Sequence, residues 1–340
     1  MSGVVHTENP PRRAYPANVT FNTLIRANKR KSAMLMIGMG LLLVLIGAVF
    51  GGVLGGYAGG DSLLPSLLLG AIAFAIIAAI GSAWSFYGGS SAILFMSGAR
   101  PIEKKDDPQL FNVVEELAIA GGIPLPKVYL IDDPALNAFA TGRDPQHAAV
   151  AITTGLRQQL SRDELAGVMA HEIAHIRHYD IRFAMLMATM VGIIVFASDA
   201  MLRMFFYGGA GRRGGMSRSS GGKQGGNPAI IILLVLAILL AILAPLFATL
   251  IRLAVSRQRE YLADAGAVEL TRYPQGLIGA LEKLGGCKVP LKGANRATAH
   301  LFIVNPLKDA LKGQGHELSS HFRTHPPLHD RINRLKALIQ

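Results

Sequence analysis

An α-rich α+β fold carrying about four membrane helices is predicted by three observations: four long apolar runs, short apolar segments of strand length between turn signals, and helical patterns with identifiable start and stop residues. The chain has 340 residues, of which 51% are hydrophobic and only 16% charged. It is too apolar for an ordinary soluble enzyme of this length. The runs cover residues 33–53, 63–86, 183–206 and 229–251, each long enough for a hydrocarbon layer of roughly 30 Å.

The first run follows Lys29, Arg30 and Lys31. A cleaved signal peptide would have a shorter apolar core nearer the start, so a retained anchor is expected. The second run ends in Trp84, Phe86 and Tyr87, residues suited to a membrane interface, and closes a hairpin with the first. In the third, Asp199 and Arg203 are spaced for an i,i+4 ion pair at the membrane boundary. In the fourth, Pro245 is expected to kink the helix. The connection 208–227 is rich in Gly and Ser and carries Arg212, Arg213, Arg218 and Lys223. The basic residues before the first run, with Arg100, Lys104 and Lys105 after the second, place the amino terminus and the region beyond the hairpin in the cytoplasm. The basic loop 208–227 would then face outward against that tendency, so the last two runs either span in spite of it or form a shallow cytoplasmic hairpin. Both options return the chain to the side it left.

These runs divide the chain into a cytoplasmic amino-terminal segment (1–32), a transmembrane hairpin (33–96), a first catalytic part (97–182), two further membrane segments (183–251) and a second catalytic part (252–340). In the first part, residues 108–120 have helical periodicity and end at Gly121-Gly122. Residues 127–131 and 148–152 are strand-like, separated by Asp132-Asp133-Pro134 and a Gly-containing turn near 141–145. Ser161 with Glu164 three residues on forms a capping box. It opens a helix packed through Leu165, Val168 and Met169.

That helix carries His171-Glu172-Ile173-Ala174-His175. Residues i and i+4 lie one above the other on a helix, so His171 and His175 can share one metal. Glu172 is displaced round the axis, as suits a general base that touches a metal-held water without being a ligand. His178 sits about 10 Å along the axis from His171, too far for all three histidines to bind one ion. After the fourth run, Glu260 and Asp264 share a helical face. Glu260 can be the third ligand, and Asp264 can accept the other ring N–H of His171 and fix its tautomer. The lone Cys287 excludes an internal disulfide and a cysteine-based zinc site. The net charge of +12 comes mainly from residues flanking apolar runs or in the Gly-rich loop, so anionic lipid headgroups rather than nucleic acid are its expected partner.

The HEIAH motif, the segment from Glu260 to Asp264, Asn137-Ala138-Phe139-Ala140 and His325-Pro326-Pro327 with Arg331 together resemble the M48 family of membrane-embedded zinc metalloproteases, of the HtpX type. The likeness runs from the first apolar run to the carboxyl terminus. It implies a gluzincin-type domain with a small β-sheet, one zinc ion per chain, and a place in the cell inner membrane facing the cytoplasm. Its implied task is quality control, with misfolded or damaged membrane proteins as substrates. It further implies that Asn137, Ala138, Phe139 and Ala140 lie beside an edge strand that aligns the substrate backbone. His325 and Arg331 would stand near the cleft to stabilise the oxyanion. Arg323 departs from the family's small residue and His321 is an unusual neighbour, so His325 is chosen over His321 or His329 on the following Pro-Pro and Arg331. The mechanism expected is zinc held by His171, His175 and Glu260, with Glu172 taking a proton from the water that attacks a polarised peptide carbonyl. A zinc hydrolase for a non-peptide bond would use the same ligands. A CAAX-type protease would have more spans, and a non-proteolytic scaffold would have no need of the intact set.

Overall fold

The computed structural model describes residues 21–57, 63–208, 228–286 and 326–338. The amino-terminal segment up to residue 20, nearly all of the basic loop, Cys287, His321, Arg323 and His325 lie outside the described residues.

Among the described residues, four helices are long and apolar enough to cross a membrane, over Ala33–Gly56, Leu63–Met96, Asp180–Arg203 and Ile231–Thr249. The first lies in helix α1 (Phe21–Tyr57) and the second makes up α2 (Leu63–Met96). At 34 residues α2 is about 51 Å long, well beyond the bilayer's thickness. Its far end therefore leaves the apolar layer and packs Leu94 against Ile131, Phe139 and Ala151 of the catalytic part.

A short strand β1 (Ala99–Pro101) leads to α3 (Pro108–Gly121), capped by the Asp107 carboxylate at its start and by left-handed Gly122 at its end. Strands β2 (Lys127–Ile131), β3 (Ala138–Gly142) and β4 (Ala148–Thr153) follow. The sheet order is β1-β2-β4-β3, with β2 and β4 parallel and both outer pairs antiparallel. Side chains alternate across it as the pleat requires. Val128, Ala138, Ala140, Val150 and Ile152 enter the main core, while Phe139, Ala149 and Ala151 face the end of α2. The turn expected near 141–145 lies slightly later, in a single 3₁₀ turn over Pro145–His147, because residues 138–142 themselves pair with β4.

After the short α4 (Thr154–Gln159), α5 (Arg162–Arg177) begins with the expected capping box. Leu165, Val168 and Met169 are fully buried in the main core. Two residues later α6 (Asp180–Gly208) starts, carrying the Asp199–Arg203 ion pair at 2.7 Å. The fourth apolar run and the helix bearing Glu260 are one uninterrupted element, α7 (Pro228–Thr271), 44 residues and about 66 Å long. Helix α8 (Pro274–Gly286) packs on α5, and α9 (Leu328–Lys336) packs on α8 and α7.

Candidate metal centre and active site

Helix α5 places His171, Glu172 and His175 inside the protein, because its first turns are fixed by the Ser161–Glu164 cap and its apolar face is sealed in the core. Helix α7 crosses it and brings Glu260. The Nε2 atoms of His171 and His175 are 3.2 Å apart. Glu260 Oε2 is 3.6 Å from the former and its Oε1 3.5 Å from the latter. Ligand atoms about 2.0–2.1 Å from a tetrahedral ion are separated by about 3.3–3.4 Å, so two imidazole nitrogens and one carboxylate stand at the spacing of three zinc corners. Among the described residues they form a group able to hold a metal, and His178 is not in it.

The remaining ring nitrogens have their own acceptors. His171 Nδ1 is 2.9 Å from Asp264 Oδ1, and Asp264 is in turn held by Arg331, Nε at 2.9 Å and a terminal nitrogen at 2.6 Å. His175 Nδ1 is 3.2 Å from Asp180 Oδ2. Asp180 was not singled out in the sequence. On a continuous helix a residue five positions on lies about 140° round the axis. The chain breaks at Tyr179, whose φ is +62°, and that break brings Asp180 back toward His175.

Arg331 is completely buried and its fork is bidentate on Asp264, with another nitrogen 3.5 Å from Glu260 Oε2. Expected near the cleft for the oxyanion, its guanidinium stands here against Asp264 and Glu260. A guanidinium committed to a buried carboxylate supports the histidine behind the site, and removing either partner would leave the other charge buried and uncompensated.

Glu172 is 3% exposed. Burial pushes its carboxyl above the usual range, opposed by the neighbouring histidines and by a hydrogen bond from the Ala140 backbone N–H. Burial pulls the His175 imidazole down, but its bonds to Asp180 and Glu260 lift it to about 10. For His171, bonds to Asp264 and Glu260 likewise overcome burial and raise it. For Asp264, burial is outweighed by the Arg331 charge, which holds it low. A pocket whose carboxylates make histidines this basic favours a cation, and a metal would take the place of the protons.

Strand β3 is the sheet edge nearest Glu172. Of the segment expected beside the edge strand, Ala138, Phe139 and Ala140 are in that strand and Asn137 directly precedes it. Asn137 accepts from Thr153 N–H through its backbone carbonyl, so the alternate residues Ala138 and Ala140 turn their backbone groups away from β4. The Ala138 N–H meets the Asn137 side-chain oxygen at 3.0 Å, and the Ala140 N–H meets Glu172.

Comparison with known proteins agrees with this geometry. Residues 104–339 match the family model described as "Peptidase family M48". A "Protease HtpX homolog" from Dictyoglomus thermophilum is 42% identical over 319 residues, covering 94% of this chain and 95% of that protein. Another from Limosilactobacillus reuteri is 43% identical over 315 residues, covering 92% and 98%. Among solved structures, S. mikatae Ste24p aligns at 22% identity with a TM-score of 0.48, covering 92% of this chain and 67% of that one. With the family model spanning most of the chain and near full-length relatives above 40% identity, the chain belongs to peptidase family M48.

Proposed function

We propose that this chain is a zinc-dependent, membrane-integrated endopeptidase that cleaves misfolded or damaged membrane proteins on the cytoplasmic side of the cell inner membrane. The observation that carries the reading is the trio of His171, His175 and Glu260 donor atoms 3.2 to 3.6 Å apart, with Glu172 on the same helix beside them. Zinc bound by these three would polarise a peptide carbonyl and lower the pKa of a water. Glu172 takes the proton of that water and hands it to the leaving amine. The Ala140 N–H holds its carboxylate in place for both transfers.

The substrate adds as a strand along β3. The backbone carbonyls of Ala138 and Ala140 point away from β4 on the Glu172 side of the sheet, their N–H groups being held by Asn137 and Glu172, and an extended peptide binds such an edge through main-chain hydrogen bonds with little sequence preference. Asn137 and Phe139 set that edge: Asn137 by its side-chain bond to the Ala138 N–H, Phe139 by its burial against α2. His325 supplies the oxyanion donor on the strength of the family likeness. Arg331 acts through Asp264 and His171. The parts 97–182 and 252–340 form one catalytic unit, since ligands from both enter one trio. The basic residues flanking the first hairpin support the cytoplasmic orientation, and the apolar spans suit membrane-protein substrates.

Replacing Glu172 with Gln tests the reading. The variant is expected to retain zinc by elemental analysis, lose cleavage of a casein-type substrate, and trap membrane proteins that the wild type degrades. Undiminished cleavage would sink the mechanism. Single cysteines at positions 144 and 336 in a Cys287→Ser background are expected to label from the same side of the membrane.

A further inference from the structure

The carboxylate behind His175 belongs to the first residue of the third candidate membrane span. Helix α5 ends at Arg177, His178 caps it, and Tyr179 adopts a left-handed backbone before α6 begins at Asp180. Positive φ is costly for a residue with a side chain, so the turn is held by what it brings together. Asp180 is 5% exposed, with Oδ2 3.2 Å from His175 Nδ1. Its other oxygen is 3.5 Å from Arg259 Nε, and its backbone carbonyl accepts from an Arg259 terminal nitrogen at 3.0 Å. The Arg259 guanidinium also lies 4.8 Å from the centre of the Phe183 ring, one turn into α6. Arg259 directly precedes Glu260. One residue of α7 therefore reaches the trio while its neighbour grips the start of α6.

The two histidines are thus supported by different pairs. Asp264 of α7 and Arg331 of the small helix α9 hold His171, whereas Asp180 at the start of α6 and Arg259 of α7 hold His175. An imidazole that offers Nε2 to a metal must keep its proton on Nδ1, and the acceptor on Nδ1 sets both tautomer and ring angle. We propose that Asp180 is a positioning residue for His175, clamped by Arg259 and brought within reach by the left-handed turn at Tyr179. The metal centre is then tied to the packing of α6 and α7 in the bilayer. The proposal rests on the zinc-site reading above.

The test uses full-length protein in nanodiscs. Zinc affinity is measured by competition with a chromogenic chelator, ring placement by the visible bands of the Co2+ form, and folding by thermal unfolding. Asp180→Ala is expected to weaken zinc roughly tenfold to a hundredfold and to shift the Co2+ bands. Asp180→Asn, which keeps an acceptor oxygen, recovers most of the affinity. Tyr179→Gly, free to adopt positive φ, stays near wild type, whereas the β-branched Tyr179→Ile follows Asp180→Ala. A folded Asp180→Ala with wild-type affinity and spectrum would overturn the proposal. If that variant does not fold, equal affinities of Tyr179→Gly and Tyr179→Ile overturn it. Equal zinc content in wild type and Glu260→Gln would instead bring down the zinc-site reading itself.

Discussion

The catalytic layer and the membrane layer of this chain solve burial in opposite ways. In the catalytic layer, large aliphatic side chains are inside: Leu110, Leu156, Leu165, Met169 and Ile173 are fully buried. In the membrane layer many of the largest side chains are outside, with Leu69 70% and Phe196 75% exposed to what would be lipid. Its interior combines buried large side chains, Met39, Leu43, Ile46, Ile194 and Met201, with small ones that let helices approach, the repeated alanines Ala237, Ala241, Ala244 and Ala248 of α7 and the glycines between α1 and α2. Water drives apolar groups together in the first layer; lipid gives no such drive, so helices associate there through shape and close contact. Buried charge divides the same way. Among the described residues, the apolar stretches of the four spans bury Ser85 and Ser198 as polar groups, while His171, Glu172, Asp180, Arg259, Glu260, Asp264 and Arg331 gather where α5, α6, α7 and α9 meet. The buried carboxylates Asp180, Glu260 and Asp264 there each lie beside a histidine and an arginine.

The strongest way to separate the layers is through their most specialised members. Glu172→Gln is expected to abolish peptide cleavage while leaving thermal unfolding and zinc content unchanged, because the lost proton acceptor contributes to the reaction and not to packing.

A comparable break in the membrane layer needs only a methyl group. A Cβ on Gly51 would lie 2.3 Å from the Ser66 carbonyl oxygen and 2.8 Å from Gly70 Cα, whereas one on Gly38 meets nothing within 4 Å. Gly51→Ala should separate the hairpin and raise protease sensitivity in nanodiscs; Gly38→Ala should be neutral or slightly stabilising. Equal behaviour of the two would deny that shape complementarity holds this layer.

Met169→Ala probes the other layer. Met169 is fully buried on the metal-bearing helix, and the cavity left should cost about 2–5 kcal/mol. Leu69→Ala, on a lipid-facing position, should leave thermal unfolding almost unmoved.

His178 sharpens the contrast through pH. Burial holds its imidazole down at about 4 against 6.5 when free. The unfolded chain therefore takes up a proton at a pH where the folded one does not. The contribution to stability is complete above about pH 6.5 and is lost progressively as pH falls toward 4, up to about 3 kcal/mol. His178→Gln should flatten the acid limb of stability in that window, read as Tm against pH beside the wild type.

The smallest effect is expected at Asp107, which caps α3 through the Leu110 N–H and is gripped by Arg157 at 2.6 and 2.9 Å. Asp107→Ala should cost about 1–2 kcal/mol and leave zinc affinity unchanged, since neither partner touches the trio.

What the sequence by itself determined was local. The spacing of His171, Glu172 and His175, the i,i+4 pair Glu260 and Asp264, the cap at Ser161 and Glu164, the strand at 127–131 and the four apolar runs all follow from periods of 3.6 and 2 or from residues within one turn of each other. The tertiary structure decided what lies across elements. It made residues 138–142 an edge strand through pairing with β4, since a short run of Ala, Phe and Thr has no periodicity strong enough to announce itself. It turned Arg331 onto Asp264 from 67 residues away. It merged the fourth span and the Glu260 helix into one α7, and through the left-handed turn at Tyr179 it put Asp180 behind His175. A backbone reversal of that kind is written in one residue's φ, and a tyrosine gives no sign of positive φ as a glycine would. In the folded chain the turn stands beside the packing of α6 and α7 around Arg259.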